Sequence, residues 1–218
     1  MIEFCGLRLG HRVINASGCF DVLAGARVFG DELFDAFPFS AYVSKTITMA
    51  AREGNPPPRL WESAAGLINS IGLPNRGLEA YLDDDLPGLA RLAVPLITNV
   101  MGSTPQDVGE LVAALEGHGQ VAAIELNVSC PNVATGLDIG ADPNGLQALL
   151  EYVRPLSSKP LIVKLTPNTA DVAACAAGAE AGGADAVSLI NTLRAVARSP
   201  DGPGPWLGGG SARPRAGC

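Results

Sequence analysis

The sequence predicts an α/β protein built on a parallel sheet, either doubly wound or closed as a barrel. Three observations predict it. Short apolar runs alternate with longer stretches of helical pattern, the order of repeated β-then-α units. The central residues of most runs are apolar without alternation, as in strands buried on both faces. Gly and Ala are abundant, as where helices pack closely on a parallel sheet.

In chain order, the run "RVINAS" (12–17) leads into a helical pattern near 22–35, and "AYVSKT" (41–46) follows. Residues 47–76 differ. "EGNPPPRLWE" and then "GLINSIGLPN" form a long Pro/Gly-rich excursion, and loops of that length are usually functional or disordered. A helical pattern near 77–92 precedes "PLITNV" (95–100). Thr104-Pro105 reads as the start of a helix over 105–117, with Asp107 favourable in the first turn and Gly117 as the stop. "AAIELNV" (122–128), a helix near 145–155 and "PLIVKL" (160–165) come next. A helix near 169–181 starts at Asn168/Thr169, with Asp171 in its first turn and Gly182-Gly183 as its stop. "DAVSLIN" (185–191) is the sixth strand. No internal repeat or low-complexity linker interrupts the series.

The 218 residues fit one large domain or a piece of one, and 47% hydrophobic residues suffice for a real core. Charged residues make up 17%, the net charge is −7 and no basic block is present, so nucleic acid is not expected as a partner. Cysteines 5, 19, 130, 175 and 218 are odd in number and scattered, without a CxxC pair or a Cys/His cluster. Neither a disulfide framework nor a zinc site is expected, and a reducing cytoplasm fits. The N-terminus lacks a basic flank before an apolar stretch, so no signal peptide is expected. The most apolar long stretch, near 172–190, is broken by Glu180, Gly182, Gly183 and Asp185, so no membrane span is expected.

Each apolar run ends in a hydrogen-bonding group: Ser17, Lys45-Thr46, Asn99, Asn127, Lys164 and Asn191-Thr192. One such ending reads simply as a turn signal. Six in a row point to a shared site, since α/β proteins bind ligands at the C-terminal edge of their strands. His11 and His118 lie in loops at the other end, which excludes a Ser-His-Asp triad, and no HExxH motif is present. Acidic residues do not cluster at strand ends: Glu125 lies inside a strand, and Asp83 to Asp85 read as a solvated face. Cysteine and lysine remain as acid/base candidates. Cys130 sits just past a strand end among polar neighbours. Position alone leaves a base and an inert buried thiol equally open. Asn69, Asn127, Asn132 and Asn191 supply amide groups suited to a flat polar ring. Lys45 and Lys164 suit a carboxylate, a phosphate or a flavin that turns negative on reduction.

Five fragments, "VSKT", "NSIGLPN", "ELNVSCPN", "KLTPN" and "SLINTL", together resemble the soluble, cysteine-base class of dihydroorotate dehydrogenases. The resemblance runs from about residue 6 to 207, in matching order and with similar spacing; "GNPPPRLWE" is also similar to the segment before that family's substrate loop. It implies a (β/α)8 TIM-type barrel holding FMN at its C-terminal face, and oxidation of dihydroorotate to orotate in pyrimidine synthesis. By similarity, Cys130 removes the C5 proton while hydride passes from C6 to the flavin N5. Asn127 touches substrate and flavin. Asn69, Ser70, Ile71, Gly72, Leu73, Asn132, Asn191 and Thr192 hold the substrate, and Lys45 lies between the two. Ser17, Thr46, Asn99, Lys164 and Ile190 bind the flavin, and no metal is implied. The loop 133–143 covers the substrate, with Gly136 and Gly140 allowing it to open. The implied assembly is a homodimer, with an FAD/iron–sulfur electron-transfer subunit in the NAD-linked branch. "NTL" after the sixth strand resembles that branch, and "GLPN" the fumarate-using one.

The resemblance stops at Trp206-Leu207, where "GGGSARPRAGC" replaces the family's glycine-rich continuation. About six of eight βα units are accounted for, and a closed barrel typically takes ~250 residues. The expectation is one partial domain over 1–207 and an irregular tail over 208–218, from a truncated or frame-changed product, with a natural short variant carrying a redesigned end as the alternative. Such a chain is expected to lack the phosphate anchor and to be poorly soluble, colourless and inactive alone, a fragment that needs a partner. A different chemistry stays open: a barrel lyase using Lys164 as a Schiff-base amine.

Overall fold

The computed structural model of the chain describes residues 1–64, 66–129, 139–199, 202 and 204–207. The chain opens with an antiparallel hairpin, β1 (Ile2–Phe4) and β2 (Leu7–Leu9). Cys5 and Gly6 turn it, both at positive φ (50° and 75°), the backbone of the tightest right-twisted hairpins. Helix α1 (Val22–Phe29) is capped by Asp21, whose side chain accepts from Ala24 N. Gly30 separates it from α2 (Glu32–Asp35), so the 22–35 pattern is two helices. β3 (Tyr42–Val43) follows. Within the excursion lies a second hairpin, β4 (Leu60–Ser63) and β5 (Gly66–Asn69), which the sequence pattern did not reveal. The 77–92 pattern is one helical run: α3 (Gly77–Ala80), a π-helical turn over Tyr81–Asp85 and α4 (Leu86–Leu89). The remaining units are β6 (Leu96–Val100), α5 (Pro105–Glu116), β7 (Val121–Asn127), α6 (Pro143–Val153), β8 (Leu161–Lys164), α7 (Val172–Ala181) and β9 (Ala186–Ser188).

The main sheet is parallel throughout, in the order β3-β6-β7-β8-β9. Each strand joins beside the one before it, with no reversal of direction. A doubly wound sheet needs such a reversal and carries helices on both faces. Here the helices share one face. Tyr42, Leu96, Ile124, Leu126, Leu161 and Val163 pack there against Val108, Leu111 and Leu115 of α5 and Leu146, Leu150 and Val153 of α6. The opposite face has its own small core of Val43, Ile97, Ala123 and Ile162, joined by Leu9 and Ala41. The β1–β2 hairpin lays Ile2, Phe4 and Leu7 against it, so this concave face is filled by side chains and a hairpin. That is a (β/α)8-type barrel in part.

Five strands replace the six expected, because residues 12–17 do not join the ladder. Asn15 takes that place with its side chain. Its Nδ2 donates to Val43 O at 2.8 Å and its Oδ1 accepts from Val43 N at 2.8 Å. One buried carboxamide satisfies both backbone groups that a neighbouring strand would have used. Val13 and Ile14 are left exposed.

Thr104 caps α5 as expected, in a reciprocal box: its Oγ1 accepts from Asp107 N at 3.1 Å, and Asp107 Oδ2 accepts from Thr104 N at 3.2 Å. Thr104→Ala is expected to lower stability by about 1 kcal/mol, read as the shift of a urea unfolding midpoint. An unchanged midpoint would show that the cap contributes nothing here. The start expected at Asn168/Thr169 is corrected: Asp171 caps α7 through Ala174 N at 2.9 Å. Asn168 ties the loop after β8 to the segment after β9 instead, donating to Thr192 O and accepting from Arg194 N. Gly117 and Gly182 stand at the ends of α5 and α7. Among the described residues no helix is long and apolar enough to cross a membrane.

Candidate active site

Side chains alternate along a strand, so partners in register share a face. Asn99 pairs with Glu125, Asn127 with Lys164, and Lys164 with Ser188. All five therefore lie on the concave face, toward the C-terminal ends of their strands. Beneath them lies the apolar layer of Val43, Ile97 and Ala123. The pattern is apolar floor, polar rim.

Hydrogen bonds knit this rim. Asn191 follows β9 and is anchored by its backbone N to Leu165 O at 2.9 Å. Its Nδ2 donates to Asn127 Oδ1 and Ser129 Oγ, both at 3.0 Å. Its Oδ1 accepts from Thr192 N at 2.8 Å and Thr192 Oγ1 at 3.1 Å. Asn127 Oδ1 also accepts from Ser129 N at 3.2 Å. On the other side Glu125, buried, accepts from Ser188 Oγ at 2.7 Å and from Asn99 Nδ2. Asn99 Oδ1 is buried without a hydrogen-bond partner among the described residues.

Lys45, just past β3, is half-buried against the turn at Gly18, where a Cβ would lie 3.0 Å from its Nζ. Burial holds the Lys45 ammonium below the ordinary lysine range, the nearby Lys164 charge pushes the same way, and Cys19 opposes both. Neither lysine reaches an acidic partner among the described residues. The buried carboxylate of the rim, Glu125, is held by Asn99 and Ser188 instead, so the two ammonium groups are left to meet a negative charge from elsewhere. Ser17 Oγ and Thr46 Oγ1 meet at 3.3 Å. A cavity of about 280 Å³ lies behind this corner, between α1 and residues 74–89, with Lys45 and Thr46 on its wall.

The segment 69–73 is pinned to the first half of the excursion. Asn55 N donates to Ile71 O at 3.0 Å, and Asn55 Nδ2 to Ser70 Oγ at 3.0 Å. Gly72 (φ 78°) packs so closely on Asn55 that a Cβ would stand 2.6 Å from its backbone N. Leu73 packs on Met101, the residue after β6, which sets the segment at the same end of the sheet as the rim. Asn75 fixes the exit, bonding Thr48, Leu73 O and Gly77 N. Ile190, past β9, is exposed.

The structure thus brings Lys45, Asn99, Asn127, Lys164, Asn191 and Thr192 to one edge. Cys130, Asn132 and Gly136 lie outside the described residues; Gly140 N donates to Val128 O at 2.9 Å. Sequence reasoning missed Glu125, Ser188, Asn55 and Asn75. The signal for Glu125 was present: in "AIELN" it stands two residues before Asn127, hence on the same face. Among the described residues no three His, Cys, Asp or Glu side chains converge on a metal position.

A family model described as dihydroorotate dehydrogenase matches residues 1–201. Curated relatives include three named dihydroorotate dehydrogenase B (NAD(+)), catalytic subunit. That of Geobacter sp. (strain M21) is 41% identical over 197 residues, covering 90% of this chain and 63% of the relative. That of Desulforudis audaxviator is 41% identical over 211 residues, covering 95% and 66%. That of Thermoanaerobacter sp. (strain X514) is 42% identical over 197 residues, covering 90% and 64%. The chain spans less than two thirds of the length of these relatives.

Proposed function

Because the chain belongs to the dihydroorotate dehydrogenase family, we propose that its polar rim serves the flavin-dependent oxidation of dihydroorotate to orotate, a step of pyrimidine synthesis. The observation that carries this reading is the pair of unpaired lysines, Lys45 and Lys164, set beside Asn99, Asn127 and Asn191 on one concave face. A site with free positive charge and neutral amide edges fits a flat ring system that gains negative charge as it reacts.

FMN is the proposed cofactor, and when bound it accepts the hydride. The residues fit such a group: the orphaned Asn99 Oδ1 needs an N–H donor, and the two lysines need an acceptor. Ser17, Lys45, Thr46, Asn99, Asn127, Lys164 and Ile190 are the proposed flavin contacts. Asn69 to Leu73, Asn127, Asn132, Asn191, Thr192 and Lys45 are the proposed substrate contacts. Cys130, as thiolate, takes the proton from C5 of dihydroorotate. The electron pair left there forms the C5–C6 double bond as hydride departs from C6. Asn127 and Asn191, locked together by their mutual hydrogen bond, orient the ring without adding charge. Residues 1–207 are proposed as one domain, with 208–218 as a tail.

The relatives are named as NAD(+) enzymes and as catalytic subunits. These names support NAD as the final electron acceptor and an FAD/iron–sulfur subunit as the proposed route to it. A cytoplasmic homodimer completes the reading.

The test is a visible-absorbance titration of the purified chain with FMN, followed by dihydroorotate without oxygen. Bleaching of the flavin in proportion to orotate formed is the result this reading requires, and it would overturn the expectation that the chain is colourless and inactive alone. No flavin bound and no orotate formed would overturn the reading for this chain. Lys164→Ala is expected to lower the flavin-to-protein ratio roughly tenfold or more at limiting FMN, since a charged hydrogen bond is worth about 1.5–3 kcal/mol. An unchanged ratio would remove Lys164 from the site.

A further inference from the structure

Glu125 is a carboxylate in the interior of a barrel, 6% exposed, with no lysine or arginine paired to it among the described residues. Its Oε1 accepts from Ser188 Oγ at 2.7 Å, and its Oε2 accepts from Asn99 Nδ2. Two neutral donors therefore hold it, while Lys45 and Lys164 stay free on the same face. A buried charge is costly unless hydrogen-bonded. Such a group kept at this position calls for a consequence beyond packing.

The consequence falls on Asn99, which is fully buried. A carboxamide has two faces, one donating and one accepting, and only its surroundings decide which points where. With Nδ2 committed to the carboxylate, Oδ1 must face the other way. The reverse orientation would set Oδ1 against Glu125 oxygen, acceptor against acceptor. Among the described residues Oδ1 is in fact a buried polar atom left without a partner. It is also out of reach of solvent.

We infer that Glu125 is a positioning residue: it locks the Asn99 carboxamide so that the chain offers an acceptor, not a donor, to the N3–H edge of a bound flavin. The inference rests on the flavin reading above. In an oxidised isoalloxazine the pyrimidine edge carries one N–H, at N3, between two carbonyl oxygens. An acceptor at Asn99 matches that N–H, and the neighbouring lysines match the carbonyls. Glutamine at 125 could turn its own amide either way, and Asn99 would no longer be held in one orientation.

The experiment compares FMN with N3-methyl-FMN in fluorescence-quenching titrations of the wild-type chain and Glu125→Gln. Wild type is expected to prefer FMN by roughly five- to tenfold more than the variant does, the worth of about one hydrogen bond. A merely structural role would weaken both flavins by the same factor, and an unchanged preference in Glu125→Gln overturns the inference. If Glu125→Gln does not fold, Glu125→Asp takes its place, its carboxylate one methylene short of Asn99, with the same two outcomes. A second readout needs no flavin. The Asn99 side-chain amide signal, identified by its loss in Asn99→Ala, should exchange slowly in wild type and fast in Glu125→Gln. If wild type binds neither flavin, the flavin reading fails and this amide measurement decides the positioning role: unchanged exchange overturns it, faster exchange sustains it.

Discussion

Cys130→Ser is expected to leave flavin binding unchanged and to slow flavin reduction by dihydroorotate by roughly 10²–10⁴-fold at neutral pH. Cys130 lies outside the described residues; its neighbours in sequence and what the rim lacks point to its role. Neither histidine stands at a strand C-terminus, and Glu125, the rim carboxylate among the described residues, has both oxygens occupied. A thiol becomes a base once ionised, and a nearby cation favours ionisation. A serine hydroxyl in its place keeps the size but holds its proton far more tightly. Stopped-flow bleaching of the flavin is the measurement. Bleaching at wild-type speed in the serine variant would remove Cys130 from the reaction.

Gly178→Val is expected to destabilise the fold by about 3 kcal/mol, a large share of a typical ~5–15 kcal/mol margin. α7 rests on α6 through two glycines one turn apart. A Cβ at Gly178 would lie 2.5 Å from Pro143 O, and one at Gly182 would lie 2.6 Å from Leu150 Cβ. At Gly178 the obstacle is backbone, which cannot rotate aside, so the helices must part and loosen the layer of Leu146, Leu150 and Cys175. Valine adds two more carbons and a β-branched penalty within the helix. A fall of about 1 M or more in the urea midpoint is expected. A midpoint within about 0.3 M of wild type would show that α7 shifts on α6 at little cost.

Much of the barrel was legible because its strands are buried on both faces. β6, β7 and β8 read as continuous apolar runs, and they are the middle of the sheet. Legibility fails where the structure uses a side chain in place of backbone. "RVINAS" has the apolar content of a strand, yet Asn15 bridges Val43 with its carboxamide and the ladder ends there. The two antiparallel hairpins escaped notice because each strand is three or four residues long, too short to show a period. In the site, Asn127, Lys164 and Asn191 announced themselves as polar ends of apolar runs. Glu125 did not, because a carboxylate inside a strand suggests an outward-facing residue until its parity with Asn127 is noticed. The start of α7 was misplaced because Asn168, Thr169 and Asp171 can all cap a helix. Only the contacts of Asn168 with Thr192 and Arg194 free the role for Asp171.

The strand order has a consequence for motion. β7 lies at the centre, with two strands on either side, and β9 is the outer strand of the described sheet. Local opening is cheapest at an edge and costliest at the centre, so amide protection should fall outward from β7 to β9. Asn127 ends the central strand, and Asn191 follows an outer strand of the described sheet. The hydrogen bond between them spans that gradient. On that gradient one half of the proposed substrate clamp is the steadier jaw and the other the looser. Fraying of β9 alone would release a ring held between them, while Asn127 kept its place.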